Sequence, residues 1–233
     1  MGQDIRLKPL NTLTIPKLIK LQAENFSSKP ALISDNEVLS FADLDNLSTN
    51  IATHLIHLCI LPGDRAAIWA PNMNEWVLAA IAIHKAGGVL VPINTRMKGK
   101  EAAYILNNSG AKFLFSVKTF LGTDYFELLE NEDLPHLLHK ITLDESEPKD
   151  LIQSFETIKE QALDIELPEV SETDMADIIF TSGTTGKPKG VISSHLQNIK
   201  VFEYWSTYIG LNENDQYLIV NPFFILLDIR LVG

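Results

Sequence analysis

Phe180-Thr181-Ser182-Gly183-Thr184-Thr185-Gly186-Lys187-Pro188-Lys189-Gly190 follows directly on the apolar pair Ile178-Ile179. These eleven residues hold three glycines, three threonines, one serine and two lysines. Glycines let a backbone fold tightly and approach a ligand with no Cβ in the way. Successive backbone N–H groups in such a turn form a concavity for an anion, and hydroxyls and ammonium groups complete it. This is the composition of a polyphosphate grip. It is not the G-x-x-x-x-G-K-S/T loop of the P-loop NTPases, because Gly186-Lys187 is followed by Pro188. Pro188 also pushes Lys187 away from the helical region. With Gly190-Val191-Ile192-Ser193-Ser194-His195 reading as extended, the stretch is a loop between two strands.

The run from Thr181 to Val191 resembles the phosphate-loop signature of the adenylate-forming, or AMP-binding, enzymes: acyl-CoA synthetases, aryl-CoA ligases, luciferases and peptide-synthetase adenylation domains. His195-x-x-Asn198 matches what that family carries after the loop. Ser40-Phe41-x-x-Leu44, Pro62-Gly63-Asp64-Arg65, Asn72-x-x-Glu75-Trp76 and Lys85-Ala86-Gly87-Gly88-x-x-x-Pro92-x-Asn94 are similar to earlier family segments in the same order. These early motifs read as caps, glycine stops and strand ends. The resemblance covers about residues 12–224 and implies an α/β fold: the first part of the family's large N-terminal domain, a mostly parallel sheet flanked by helices. Residues 1–224 are then a partial adenylation domain and 225–233 a tail that matches nothing.

The resemblance implies a reaction in which a carboxylic acid, fatty or aryl, attacks the α-phosphate of ATP and the acyl group passes to a thiol, usually coenzyme A. It assigns phosphate binding to Thr181, Ser182, Gly183, Thr184, Thr185, Gly186, Lys187 and Lys189. Lys189, at the position the family keeps as Pro-Lys-Gly, is the catalytic candidate; Lys187 stands where the family varies. The pattern breaks in two places. Cys59 stands where the family has glycine, which would strain the turn before Pro62. After Asn221-Pro222-Phe223-Phe224 the expected histidine segment gives way to Ile225-Leu226-Leu227. The glutamate that holds Mg2+, the aspartate that grips the ribose and the small domain with a catalytic lysine are expected outside this chain. The reading is therefore a truncated acyl-CoA synthetase-like ligase, inactive alone. The alternative is a short non-catalytic nucleotide- or acyl-binding protein that needs a second chain to complete its fold.

Of the 233 residues, 45% are hydrophobic and 21% charged, enough for one large core or two small ones. The net charge is −11. Residues 121–177 hold 17 of the 30 acidic residues against three lysines, which reads as a solvated surface insertion. With no basic stripe, nucleic acid is excluded as a partner. The single cysteine, Cys59, excludes an internal disulfide and fits a reducing compartment, and its neighbours Leu58 and Ile60 place it as a buried small hydrophobe. Met1–Arg6 carries an early acid and no apolar core behind it, so no signal peptide is read. Apolar runs such as 77–83 are too short to span a bilayer. A cytoplasmic protein, not integral to a membrane, is expected.

Periodicity predicts helices over 12–30, from Ser40 to Leu58, from a capping box at Asn72 and Glu75 to Lys85, and over 98–109, 151–163 and 198–209. Strands are predicted at 31–34, 37–40, 65–70, 89–93, 112–116 and 216–221, the last of them buried. The stripe Val201, Tyr204, Trp205 and Tyr208 is assigned to the core. No metal partners are visible for His136 or His139. Such alternation means an α/β fold with a largely parallel sheet.

Overall fold

The computed structural model of the protein describes residues 14–35, 37–144, 152–181 and 187–224. Helix α1 (Ile15–Phe26) is capped by Thr14, whose hydroxyl accepts from the Lys17 amide. It ends at Ser27, and Pro30 opens β1 (Pro30–Ile33), paired antiparallel with β2 (Val38–Ser40). Ser40 caps α2 (Phe41–His57) reciprocally: its hydroxyl accepts from the Asp43 amide and the Asp43 carboxylate accepts from the Ser40 amide. Those bonds from Ser40 hold the Asp43 carboxyl below the usual carboxylate range.

Then come β3 (Arg65–Trp69), α3 (Asn74–Lys85), β4 (Val89–Pro92), α4 (Gly99–Ser109) and β5 (Phe113–Ser116). A small hairpin, β6 (Thr119–Phe120) and β7 (Thr123–Asp124), leads to β8 (His139–Thr142), β9 (Ile152–Ser154), α5 (Phe155–Glu160), β10 (Met175–Thr181), β11 (Lys189–Ser194) and α6 (His195–Ile209). Seven strands form one sheet in the order β11-β10-β4-β3-β5-β8-β9. Every pairing in it is parallel except β10 with β11. From β3 the chain crosses through α3 to one neighbour, β4, and returns through α4 to the other, β5. Right-handed crossovers in opposite directions put α3 and α4 on opposite faces.

That double cover explains the continuous apolar runs of the middle strands. Ala66–Trp69, Val89–Val91 and Phe113–Phe115 are fully buried. Trp69, Trp76, Phe113, Phe115 and Phe155 have almost no exposed surface. At about 1.5–3 kcal/mol each, such side chains outweigh solvent-screened surface ion pairs such as Lys200–Glu203. The Pro62-Gly63-Asp64-Arg65 motif is a tie within this frame. The Arg65 guanidinium donates to the Gly63, Ser109 and Gly110 carbonyls, and Asp64 pairs with Lys112 at 2.8 Å.

Six expectations are corrected. The acidic stretch is not an insertion: it supplies β8, β9 and the start of β10, with Ile141 and Phe155 in the core, and apart from the buried Asp177 its described charged residues are exposed or half-buried. The helix predicted over 151–163 is a strand followed by a helix of six residues, because Ile152–Ser154 extends the sheet beside β8. Asn72 and Glu75 form no capping box; Met73 is the N-cap, and the Asn72 side chain is used elsewhere. Residues 216–221 pair with no strand among the described residues, and Leu218 and Val220 are 80% and 78% exposed, because no layer covers that apolar run. On α6 the buried residues are His195, Ile199, Phe202 and Ser206, while Val201, Tyr204 and Tyr208 face outward. Cys59, expected to be buried, is exposed.

Candidate functional site

Because β10 runs parallel to β4, its last residue, Thr181, leaves at the same edge of the sheet as Pro92. This is the carboxyl edge, where open α/β sheets bind ligands. β11 returns antiparallel with Thr181 opposite Lys189 and Phe180 opposite Gly190. Residues opposite one another in a ladder project on the same face, so the Thr181 hydroxyl and the Lys189 ammonium share one side of the loop mouth. Thr181, Lys187 and Lys189 are exposed. Ser182, Gly183, Thr184, Thr185 and Gly186 lie outside the described residues. Gly190 is required by close approach: a Cβ there would fall 2.7 Å from the Ile178 Cγ2 and 3.3 Å from the Phe180 ring.

Residues that sequence reasoning missed hold this hairpin. The Tyr104 hydroxyl on α4 donates to the Pro188 carbonyl at 3.3 Å, which anchors the segment bearing both lysines. The only signal for it was its helical position, which says nothing of a partner 84 residues away. Asp177, fully buried on β10, accepts from Ser193 Oγ at 3.2 Å and from the Asn198 side chain. Its signal was present: a lone acid inside Ala176-Asp177-Ile178-Ile179-Phe180. His84 Nε2 on α3 lies 3.6 Å from Asp177, and the His84 and His195 rings meet edge to face at 5.2 Å. His195 Nδ1 accepts from the Ile15 amide at 3.4 Å. Burial lowers His195 to about 4, opposed by the charge of Asp174. Burial and the neighbouring His195 push His84 well below its ordinary value. Both imidazoles are neutral at pH 7.

A second polar tie joins α3 to the last described segment. The Asn72 side chain donates to the Asn221 carbonyl and accepts from the Phe223 amide, and Phe223 packs on Trp76 with ring centroids 5.3 Å apart. His139 stacks on Phe113. Among the described residues no three His, Cys, Asp or Glu side chains converge as a metal site. No helix among them is long and apolar enough to cross a membrane.

The profile of a family described as AMP-binding enzyme matches residues 19–232. The chain belongs to the AMP-binding enzyme family. Its relatives in that family include a (methyl-dioxo-octahydro-indenyl)propanoyl:CoA ligase of Mycobacterium tuberculosis, 36% identical over 214 residues that take in 91% of this chain and 42% of that protein. A crotonobetaine/carnitine–CoA ligase of Escherichia coli is 33% identical over 211 residues, 87% of this chain and 40% of the relative. Among solved structures, an anthranilate CoA ligase in complex with anthranoyl-AMP superposes with a TM-score of 0.83 at 25% identity, covering 93% of this chain and 41% of that one. The α/β fold with its mostly parallel sheet is thus the family's N-terminal architecture. The chain spans about two-fifths of the length of the curated relatives it matches.

Proposed function

We propose that the chain carries the polyphosphate grip of an ATP-dependent acid–CoA ligase. A carboxylate oxygen of the acid attacks the α-phosphorus of ATP, the bond from that phosphorus to the bridging oxygen breaks, and pyrophosphate leaves. The thiol of coenzyme A then attacks the acyl carbon and AMP departs. Charge accumulates on the leaving phosphates, and preorganised donors and cations aimed at it lower the barrier. The observation that supports this reading is the register that sets Lys189 opposite Thr181 at the carboxyl edge of the sheet. In it, Lys189 and the Thr181 hydroxyl meet the β- and γ-phosphates, Lys187 adds a solvated charge, and the loop amides from Ser182 to Gly186 complete the cradle. Magnesium, when bound, neutralises phosphate charge.

The test joins the chain to the remaining part of a CoA-ligase relative and measures acid-dependent ATP–pyrophosphate exchange. Lys189→Ala should lower exchange by about 10²–10³-fold, the usual cost of one such stabilising group, and Lys187→Ala by far less. Equal rates for Lys189→Ala and the parent would remove the assigned role.

A second reading is favoured by the outward apolar side chains Val191, Ile192, Val201, Tyr204, Leu218 and Val220. In it the chain is a non-catalytic nucleotide- or acyl-binding protein completed by a second polypeptide. A stable complex with that polypeptide, showing ATP binding but no exchange, would distinguish it.

A further inference from the structure

Resting on the phosphate-grip reading above, we propose that Asp177 is a positioning residue: gripped by Ser193 and Asn198, it fixes the register in which Thr181 and Lys189 meet a triphosphate. A buried carboxyl in an apolar strand is tolerated only when it is hydrogen-bonded. Here the donors come from the next strand and the next helix, so β10, β11 and α6 are tied at one point. His84 closes on the same carboxyl from α3, and His195 and Asp174 stand behind it.

The placement of this tie matters more than its strength. The β10–β11 ladder is irregular between Met175 and Asp177, where Met175 opposes Ser194 and Asp177 opposes Ser193. Asp177–Ser193 is therefore the first regular pair after the irregularity, and the two opposed side chains are hydrogen-bonded to each other. From there the register runs without interruption to Thr181–Lys189. Asp177, Ile179 and Thr181 share one face of β10, with Ser193, Val191 and Lys189 opposite them. A slip of one residue would turn a strand's side chains to the other face and part the Thr181 hydroxyl from the Lys189 ammonium. Four residue steps along the strand carry Asp177 to Thr181, about 13 Å. Asp177 thus acts through the ladder and not by touching phosphate.

The test uses the 233-residue chain and sodium tripolyphosphate, with binding followed at the Lys189 and Gly190 amides and the thermal midpoint recorded for each variant. Wild type should bind in the millimolar range. Asp177→Val and Asn198→Leu, which keep apolar volume but remove the tie, should weaken binding at least tenfold while the far-ultraviolet dichroism stays native. Ser193→Thr keeps the hydroxyl and should bind like wild type, while Ser193→Ala should weaken binding. Ile68→Val, a mild core change away from the hairpin, is the control for general destabilisation and should leave affinity unchanged. If Asp177→Val fails to fold, Asn198→Leu and Ser193→Ala carry the comparison. Unchanged affinity in the folded clamp variants overturns the positioning role alone, as does an equal loss in Ile68→Val. A wild-type chain that does not bind tripolyphosphate overturns the phosphate-grip reading, and this inference with it.

Discussion

Cys59 stands at a helix end where three other helices of this chain have glycine. Helices α2, α3, α4 and α6 all close with the same pair of backbone bonds, for example Cys59 N–H to the Ile56 carbonyl and Ile60 N–H to the Leu55 carbonyl. At α3, α4 and α6 the left-handed residue is Gly87, Gly110 and Gly210; at α2 it is Cys59, with φ 65°. A left-handed conformation costs an L-residue about 1–2 kcal/mol, and glycine gives back about 0.5–1 kcal/mol through the freedom of the unfolded chain. Cys59→Gly should therefore stabilise by about 0.5–1 kcal/mol, raising the thermal midpoint by about 1–4 °C in a chain of this size. A lowered midpoint would contradict the strain. The strain at Cys59 was legible from the glycine kept at that place in the family. Its exposure was not, because the apolar neighbours Leu58 and Ile60 hid the fact that the chain turns outward between them.

Between α3 and α6, two buried neutral histidines make stability depend on pH. The folded-state pKa of His195 lies near 4, against about 6.5 in an unfolded chain. Between those values the unfolded chain takes up a proton that the folded chain refuses. Stability is therefore complete above about pH 6.5 and falls as the pH drops, by about 2 kcal/mol at pH 5 from His195 alone. His84 is shifted in the same direction and adds to the loss. Urea denaturation at pH 7 and pH 5 should show a lower midpoint at pH 5, and His195→Gln should shrink the difference. Equal midpoints in wild type would contradict the burial of these rings in neutral form. At the same scale, elements with a local signature were legible. Ser40 as an N-cap announced α2, and Gly110 just past Ser109 announced the end of α4. Asn72 misled because its side chain serves a segment 149 residues away. The stripe on α6 misled because helical spacing identifies a face without saying what covers it.

For the whole molecule, the alternation from β3 to β5 fixes a parallel sheet, and parallel order fixes the edge from which the phosphate loop leaves. That much followed from residues 62–116 and 178–195. The contribution of the acidic stretch did not, since strands as short as His139–Thr142 and Ile152–Ser154 carry little periodicity and are recruited by pairing with β5 and with each other. The polar ties from Tyr104 and Asn72 were equally hidden, because hydrogen bonds over 84 or 149 residues leave no local pattern. The candidate site was legible as a motif, and its geometry came only from the sheet.

The central claim is that this chain grips the phosphates of ATP and that Lys189 supplies the grip. Calorimetric titration of the 233-residue chain with MgATP, beside Lys189→Ala, tests it most directly. Weak, millimolar binding is expected, since the proposed grip reaches only phosphates, and Lys189→Ala should lose that binding. Micromolar binding, or millimolar binding that Lys189→Ala leaves intact, would contradict it.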